Sequence, residues 1–203
     1  MFNFLETKKL LDKYELSLVK GFLVTSFEEA ERISKKLSWP IIMKISNPKI
    51  IHKTDIGGVV KSKNITELKN NFDKLNYFKG NEGIILQPFV SGTEIIIGMK
   101  KDAQFGPVLM FGVGGIFVEL LKDVSFRLAP INVREAGKMV KEIKSYPILN
   151  GYRGQEKVKI DSLLKILVNL SKLSLAEKDI NQIDFNPVIA NSKGAWIADA
   201  KIL

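Results

Sequence analysis

The period of hydrophobic and polar positions changes repeatedly along this chain, and each change marks a predicted element. Leu5, Leu10 and Leu11 set a short helix over about residues 4–13, and residues 22–25 read as a short strand. Ser26 with Glu29 three residues on is a capping-box pattern that opens a helix, with Ala30, Ile33 and Leu37 as its apolar stripe. Pro40-Ile41-Ile42-Met43-Lys44-Ile45 predicts a strand rich in branched residues, and 59–61 predicts another. Thr66 is the predicted cap of a helix carrying Leu68, Phe72 and Leu75. Residues 84–89 read as a buried strand, with Pro88 marking its end.

A second block starts near Ser91-Gly92, with strands predicted over 94–100, 108–111 and 125–129. Asn132 with Glu135 opens a helix whose core face is Val133, Ala136, Met139, Val140 and Ile143. Residues 146–154 read as a glycine-bearing loop. The clearest helix covers 160–176, with Leu163, Leu164, Leu167, Leu170 and Leu173 at helical spacing. Two last strands, 182–190 and 195–202, are joined as a hairpin by Asn191-Ser192-Lys193-Gly194. Helices interleave with strands, so the expected class is α+β. The expected division is an N-terminal helix and lead-in over 1–20, a first subdomain over 21–90 and a second over 91–203.

The chain has 203 residues, room for one ordinary domain or two small lobes. No apolar run approaches the roughly 18 residues of a membrane span, and the N-terminus has no cleavage-type signal, so a membrane location and export are not expected. There is no cysteine, which removes disulfides, thiolate metal sites and cysteine nucleophiles and fits the reducing cytoplasm. The net charge of +9 comes from lysines scattered over helix surfaces. That is a solvated surface able to attract an anionic substrate rather than the clustered, aromatic-flanked charge of a nucleic-acid binder.

Candidate chemistry is concentrated in a few places. Gly112, Gly114 and Gly115 end a strand in Phe111-Gly112-Val113-Gly114-Gly115-Ile116-Phe117, where backbone N–H groups can approach an anion closely. A P-loop would need Gly-Lys-Ser/Thr where Ile116-Phe117 stand, and a dinucleotide fingerprint would need a glycine at Phe117. Lys44 lies inside an apolar strand, which suits either a solvent-facing position or a cation aimed at phosphates. Asp184 and Asn186 share a strand face, and the hairpin brings Asp199 beside them, a set of hard oxygen donors suited to magnesium. Arg127 fits either a phosphate clamp or a surface ion pair. His52 is the only histidine, in Ile51-His52-Lys53-Thr54-Asp55-Ile56-Gly57-Gly58-Val59. Alone it is a polar loop residue. With Lys53 and Gly57-Gly58 beside it, it is also a group able to carry a phosphoryl covalently.

Taken together, the His52 segment, the stretch from Asp102-Ala103-Gln104-Phe105-Gly106-Pro107 to Glu119, Lys122-Asp123-Val124-Ser125-Phe126-Arg127-Leu128-Ala129-Pro130, Tyr146-Pro147-Ile148-Leu149 and Asp184-Phe185-Asn186-Pro187 closely resemble the beta subunits of ADP-forming acetyl-CoA (acyl-CoA) synthetases. The resemblance spans nearly the whole chain. It implies an ATP-grasp fold of two α+β lobes with ATP or ADP bound between them and Mg2+ as cofactor. It implies that Lys44 contacts the α-phosphate, that Gln87, Pro88, Phe89 and Val90 form the strand holding adenine, and that Glu94 binds ribose. The loops at Gly57-Gly58 and Gly112 to Gly115 would cover phosphates, and Asn186 and Asp199, with Asp184 as a third, would hold magnesium. His52 would take a phosphoryl group from the partner's phosphohistidine and pass it to ADP. A chain with no CoA-binding domain implies a CoA-binding alpha subunit in an α2β2 assembly. The rival readings are a stand-alone ATP-grasp carboxylate–amine ligase and a non-catalytic nucleotide-sensing module.

Overall fold

A computed structural model describes residues 1–47, 49–50, 53–115, 122–152 and 156–203. They group into two compact units, Met1–Glu6 with Val19–Val90, and Thr7–Leu18 with Ser91–Leu203. The expected N-terminal lead-in is therefore divided between them, and helix α1 (Phe4–Lys13) crosses the division.

In the first unit, β1 (Phe22–Val24), β2 (Ile41–Ile45), β3 (Val59–Ser62) and β4 (Ile84–Pro88) form an antiparallel sheet in the order β1-β4-β2-β3. Strand alternation sorts its two faces. Ile41, Met43, Ile45, Ile84, Leu86 and Val24 are buried in one core with Ala30 of α2 (Phe27–Ser34) and Leu68, Phe72 and Leu75 of α3 (Ile65–Asn76). The intervening residues, Ile42, Lys44, Ile85 and Gln87, belong to the opposite face.

The caps explain where these helices begin. Ser26 Oγ accepts the Glu29 N–H at 3.3 Å, and Glu29 accepts the Thr25 N–H at 2.9 Å. The second cap departs from expectation. Asn64, not Thr66, is the N-cap of α3 and accepts the Glu67 N–H at 2.9 Å, while Glu67 accepts the Lys63 N–H at 2.8 Å. Thr66 lies inside the helix, and only Asn64 has a glutamate three residues on to complete the reciprocal pair.

In the second unit, β5 (Thr93–Asp102), β6 (Gly106–Val113), β7 (Val124–Leu128), β8 (Gln182–Asn191) and β10 (Ala200–Ile202) follow the order β10-β8-β5-β6-β7, with β9 (Gly194–Ile197) paired to β8. One face packs Ile97, Met99, Leu109, Phe111, Ile183 and Phe185 against α4 (Val133–Glu142) and α6 (Ile160–Ala176). The cap predicted for α4 is present, with Asn132 Oδ1 accepting the Glu135 N–H at 2.9 Å.

Two predicted elements differ. The loop expected at 146–154 begins with a helical turn, α5 (Tyr146–Leu149). Asp123 satisfies the approach to it by accepting the N–H groups of Lys144 and Ser145 at 2.8 and 2.7 Å, and Pro147 stands in its first turn, where a missing N–H costs nothing. The last strand expected over 195–202 is split into β9 and β10, because β8 carries a bulge. Ile95 faces Val188 but Ile97 faces Phe185, so β8 contains one residue more than β5 there. Among the described residues no helix is long and apolar enough to cross a membrane.

Candidate functional site

The face of the smaller sheet opposite α2 and α3 is where a buried cation sits. Lys44 pairs with Val59 on one side and Ile85 on the other, and only 6% of it is exposed. Alternation has not turned it to solvent, so of the two readings open in the sequence the structure favours the enclosed cation. Gln87 lies on the same face at 3% exposure, its side-chain amide donating to the Val19 carbonyl at 3.3 Å. Its side chain is thus occupied within the unit, and the 87–90 segment offers backbone rather than the Gln87 amide. Pro88 closes β4 opposite Ile41, and Phe89 follows half-exposed, its N–H bonded to the Pro40 carbonyl at 2.8 Å.

Lys53 opens a tight turn that runs to Gly58. Gly57 donates to the Thr54 carbonyl at 3.0 Å and Gly58 to the Lys53 carbonyl at 2.7 Å. Both N–H groups are spent inside the turn, so the two glycines serve its shape rather than a phosphate cradle of free donors. Gly57 has φ +72°, and a Cβ on Gly58 would lie 2.7 Å from Ile45 Cδ1 and 2.9 Å from the Lys53 carbonyl oxygen. His52, the residue on which the phosphoryl-carrier expectation rests, lies outside the described residues, as do 116–121 beyond the second glycine cluster.

That cluster is also partly structural. Gly112 is a strand residue paired with Ile96 and Val124. Gly114 donates to the Glu94 carbonyl at 2.7 Å, and a Cβ there would meet the Glu94 backbone at 3.2 Å. Gly115 is left-handed at φ +68°, and a Cβ there would meet none of the described residues within 4 Å. Glu94, with Thr93, Gly114 and Asn191, lines a cavity of about 420 Å3.

On the hairpin, the β8 bulge brings the two expected magnesium ligands side by side. The Asn186 N–H donates to the Asp199 carbonyl at 3.1 Å, and Ala198 donates to the Pro187 carbonyl at 2.9 Å. Asn186 is exposed and Asp199 half-exposed. An amide oxygen and a carboxylate are hard donors that fit a magnesium ion whose remaining positions go to phosphate and water. Among the described residues no group of three or more His, Cys, Asp or Glu side chains could hold a metal by itself. Asp184 has Lys201 opposite it on β10, with Lys201 Nζ 3.8 Å from its Oδ2. It lines a different cavity, of about 380 Å3, with Gly98, Met110 and Phe126.

Arg127 is engaged by carboxylates. Its guanidinium pairs with Glu142 at 2.5 Å, its Nε is 3.8 Å from Glu135, and its Nη1 donates to the Phe126 carbonyl at 2.7 Å. This is the ion-pair geometry, in which a phosphate would compete with both acids for the guanidinium. Two motif residues passed over in the sequence have plain tasks. Asp102 Oδ1 accepts the Gln104 and Phe105 N–H groups at 2.8 and 2.9 Å, and Gly106 has φ +76°, so this stretch is a hairpin turn. Asp123 holds α5. Burial pushes its carboxyl upward, but the Ser145 side chain, the N–H donors of Lys144 and Ser145 and the Lys144 charge outweigh that and leave it below the ordinary aspartate value.

The whole chain, residues 1–203, matches the ATP-grasp domain. This chain belongs to the ATP-grasp family. Several of its relatives are ADP-forming acetate–CoA ligases. It is 42% identical over 98% of its length to the beta subunit of an ADP-forming acetate–CoA ligase I from Pyrococcus furiosus, and covers 89% of that subunit. It is 39% identical to an ADP-forming acetate–CoA ligase I from Archaeoglobus fulgidus, but spans only 30% of that longer chain. The fold agrees with a solved dinucleotide-forming acetyl-CoA synthetase 1 of Ca. Korarchaeum cryptofilum in complex with coenzyme A and Ca-AMPCP, at TM-score 0.94 and 37% identity over 100% of this chain and 92% of that one. Another structure of that enzyme, at TM-score 0.85 and 36% identity over 98% of this chain and 90% of that one, contains Mg-AMPPCP and a phosphohistidine segment pointing towards the nucleotide-binding site.

Proposed function

We propose that this chain is the nucleotide-binding beta subunit of an ADP-forming acyl-CoA synthetase, an acid–thiol ligase that works with a CoA-binding alpha subunit in an α2β2 assembly. The pair interconverts acyl-CoA, ADP and phosphate with free acid, CoA and ATP. The observation that carries the reading is the bulged hairpin, which sets Asn186 against Asp199 through a 3.1 Å backbone bond. The buried ammonium of Lys44 supplies a second phosphate-seeking group.

On this reading Lys44 neutralises the α-phosphate, the backbone of 87–90 meets the base and Glu94 takes the ribose hydroxyls. Asn186 and Asp199 hold magnesium, which when bound neutralises charge on the transferring phosphoryl. Asp184, drawn to Lys201, has a lesser share in metal binding than the other two. Phosphate displaces CoA from the acyl group on the partner, giving acyl phosphate. The acyl phosphate transfers its phosphoryl to a partner histidine and leaves as the acid. The phosphoryl then passes to His52. In the last step the N–P bond at His52 breaks as a β-phosphate oxygen of ADP forms the new O–P bond, yielding ATP and free imidazole.

Reconstitution tests this. The chain co-expressed with a CoA-binding alpha subunit is expected to make ATP from acetyl-CoA, ADP and phosphate, and neither chain alone is expected to do so. ATP-dependent coupling of a carboxylate to an amine by this chain alone would replace the reading with the carboxylate–amine ligase.

A further inference from the structure

We propose that Lys61 is a positioning residue for Phe89 and, through that ring, for the purine of a nucleoside diphosphate; this rests on the nucleotide-binding reading above. Lys61 stands on β3 and Phe89 follows β4, with β2 between the two strands. Register places both Lys61 and Gln87 opposite Ile42, so Lys61 belongs to the sheet face that carries Lys44. Its stem crosses that face and sets Nζ 3.6 Å from the centroid of the Phe89 ring. The other cation–ring contacts among the described residues are at 5.0 to 5.5 Å.

An ammonium over a ring face is attracted by the ring's negative face, and the lysine stem can lie along apolar surface while doing so. Phe89 is therefore fixed twice, by its N–H on the Pro40 carbonyl at 2.8 Å and by the cation on its ring, yet 43% of it stays exposed. A large apolar ring left open is ordinarily a loss. Held in one pose at the end of the strand proposed to meet the base, it is a stacking platform. Base–aromatic stacking changes affinity roughly 5- to 100-fold and depends on the ring's presented face. Lys61 does not touch the base on this account. It removes the ring's freedom to turn away.

The test is equilibrium binding of Mg-ADP and Mg-pyrophosphate to the full chain, for wild type, Lys61→Met, Lys61→Arg, Phe89→Leu and the Lys61→Met/Phe89→Leu pair. Lys61→Met is expected to weaken ADP binding roughly 3- to 10-fold and to leave pyrophosphate binding unchanged. Lys61→Arg, which keeps a cation over the ring, is expected to bind ADP like wild type. The double variant is expected to lose no more than Phe89→Leu alone, because the two residues act as one unit. Unchanged ADP binding in Lys61→Met overturns the proposal. So does an equal loss of ADP and pyrophosphate, which would make Lys61 a phosphate ligand, and so do strictly additive losses. A wild-type chain that binds no ADP would instead remove the functional reading itself, and this proposal with it.

Discussion

Lysine is rarely buried, and Lys44 is only 6% exposed. Replacing it by methionine keeps the stem and removes the charge. Lys44→Met is expected to stay folded by circular dichroism and to lose roughly tenfold or more in nucleotide affinity, the worth of a charge-assisted phosphate contact. Unchanged affinity would remove Lys44 from the site. The glycines separate shape from function at the same scale. Gly58→Ala drives a Cβ against Ile45 and the Lys53 carbonyl and is expected to cost about 1–3 kcal/mol. Gly57→Ala meets no atom of the described residues within 4 Å and is strained through φ +72°, about 1 kcal/mol. Denaturant unfolding of the two variants should rank them in that order. Residue chemistry was only half legible in the sequence. Lys44 and Arg127 each admitted two readings, and their surroundings are non-local, a sheet face for one and the acids of α4 for the other.

Elements were more legible than residues wherever a local signal was complete. The helices at 4–13 and 160–176 have the expected bounds, because a sustained apolar stripe specifies both period and length. The Asn64 cap was written in the sequence as Asn-x-x-Glu, and reading Thr66 instead overlooked the glutamate. By contrast, the split of the last strand follows from a bulge that only pairing with β5 reveals, and α5 depends on Asp123, 22 residues away from Ser145. That dependence has a pH signature. A carboxyl held below its unfolded value adds stability above the ordinary carboxylate range, and the contribution is lost as pH falls through the folded value. Asp123→Ala is expected to lower stability by about 1–2 kcal/mol at neutral pH, as for the loss of a helix cap. Its acid-side decline in melting temperature is expected to be shallower than that of wild type. Equal decline in both would mean that Asp123 does not carry the acid dependence. The hairpin makes a second element-scale prediction. Asp199→Asn and Asn186→Ala are each expected to raise the Mg2+ concentration that supports nucleotide binding by on the order of tenfold or more, whereas Asp184→Asn should raise it less. An Mg2+ titration of nucleotide binding gives the ranking.

At the scale of the whole molecule, the informative contrast is between relatives. The chain covers 89% of a separate beta subunit and 30% of a longer acetate–CoA ligase chain, so the same folded piece exists both as a subunit and as a part. The α+β class and the ATP-grasp fold were legible from motifs spread along the chain, while no single motif decided them. Phosphoryl transfer through His52 is the central claim, and direct labelling tests it most closely. The chain, assembled with a CoA-binding alpha subunit, is incubated with ATP labelled in its γ-phosphate and Mg2+, and acid-labile, alkali-stable phosphate is measured on each chain. The account predicts label on this chain that disappears in His52→Ala together with ATP synthesis from acetyl-CoA. Undiminished label on this chain and full ATP synthesis in His52→Ala would contradict it.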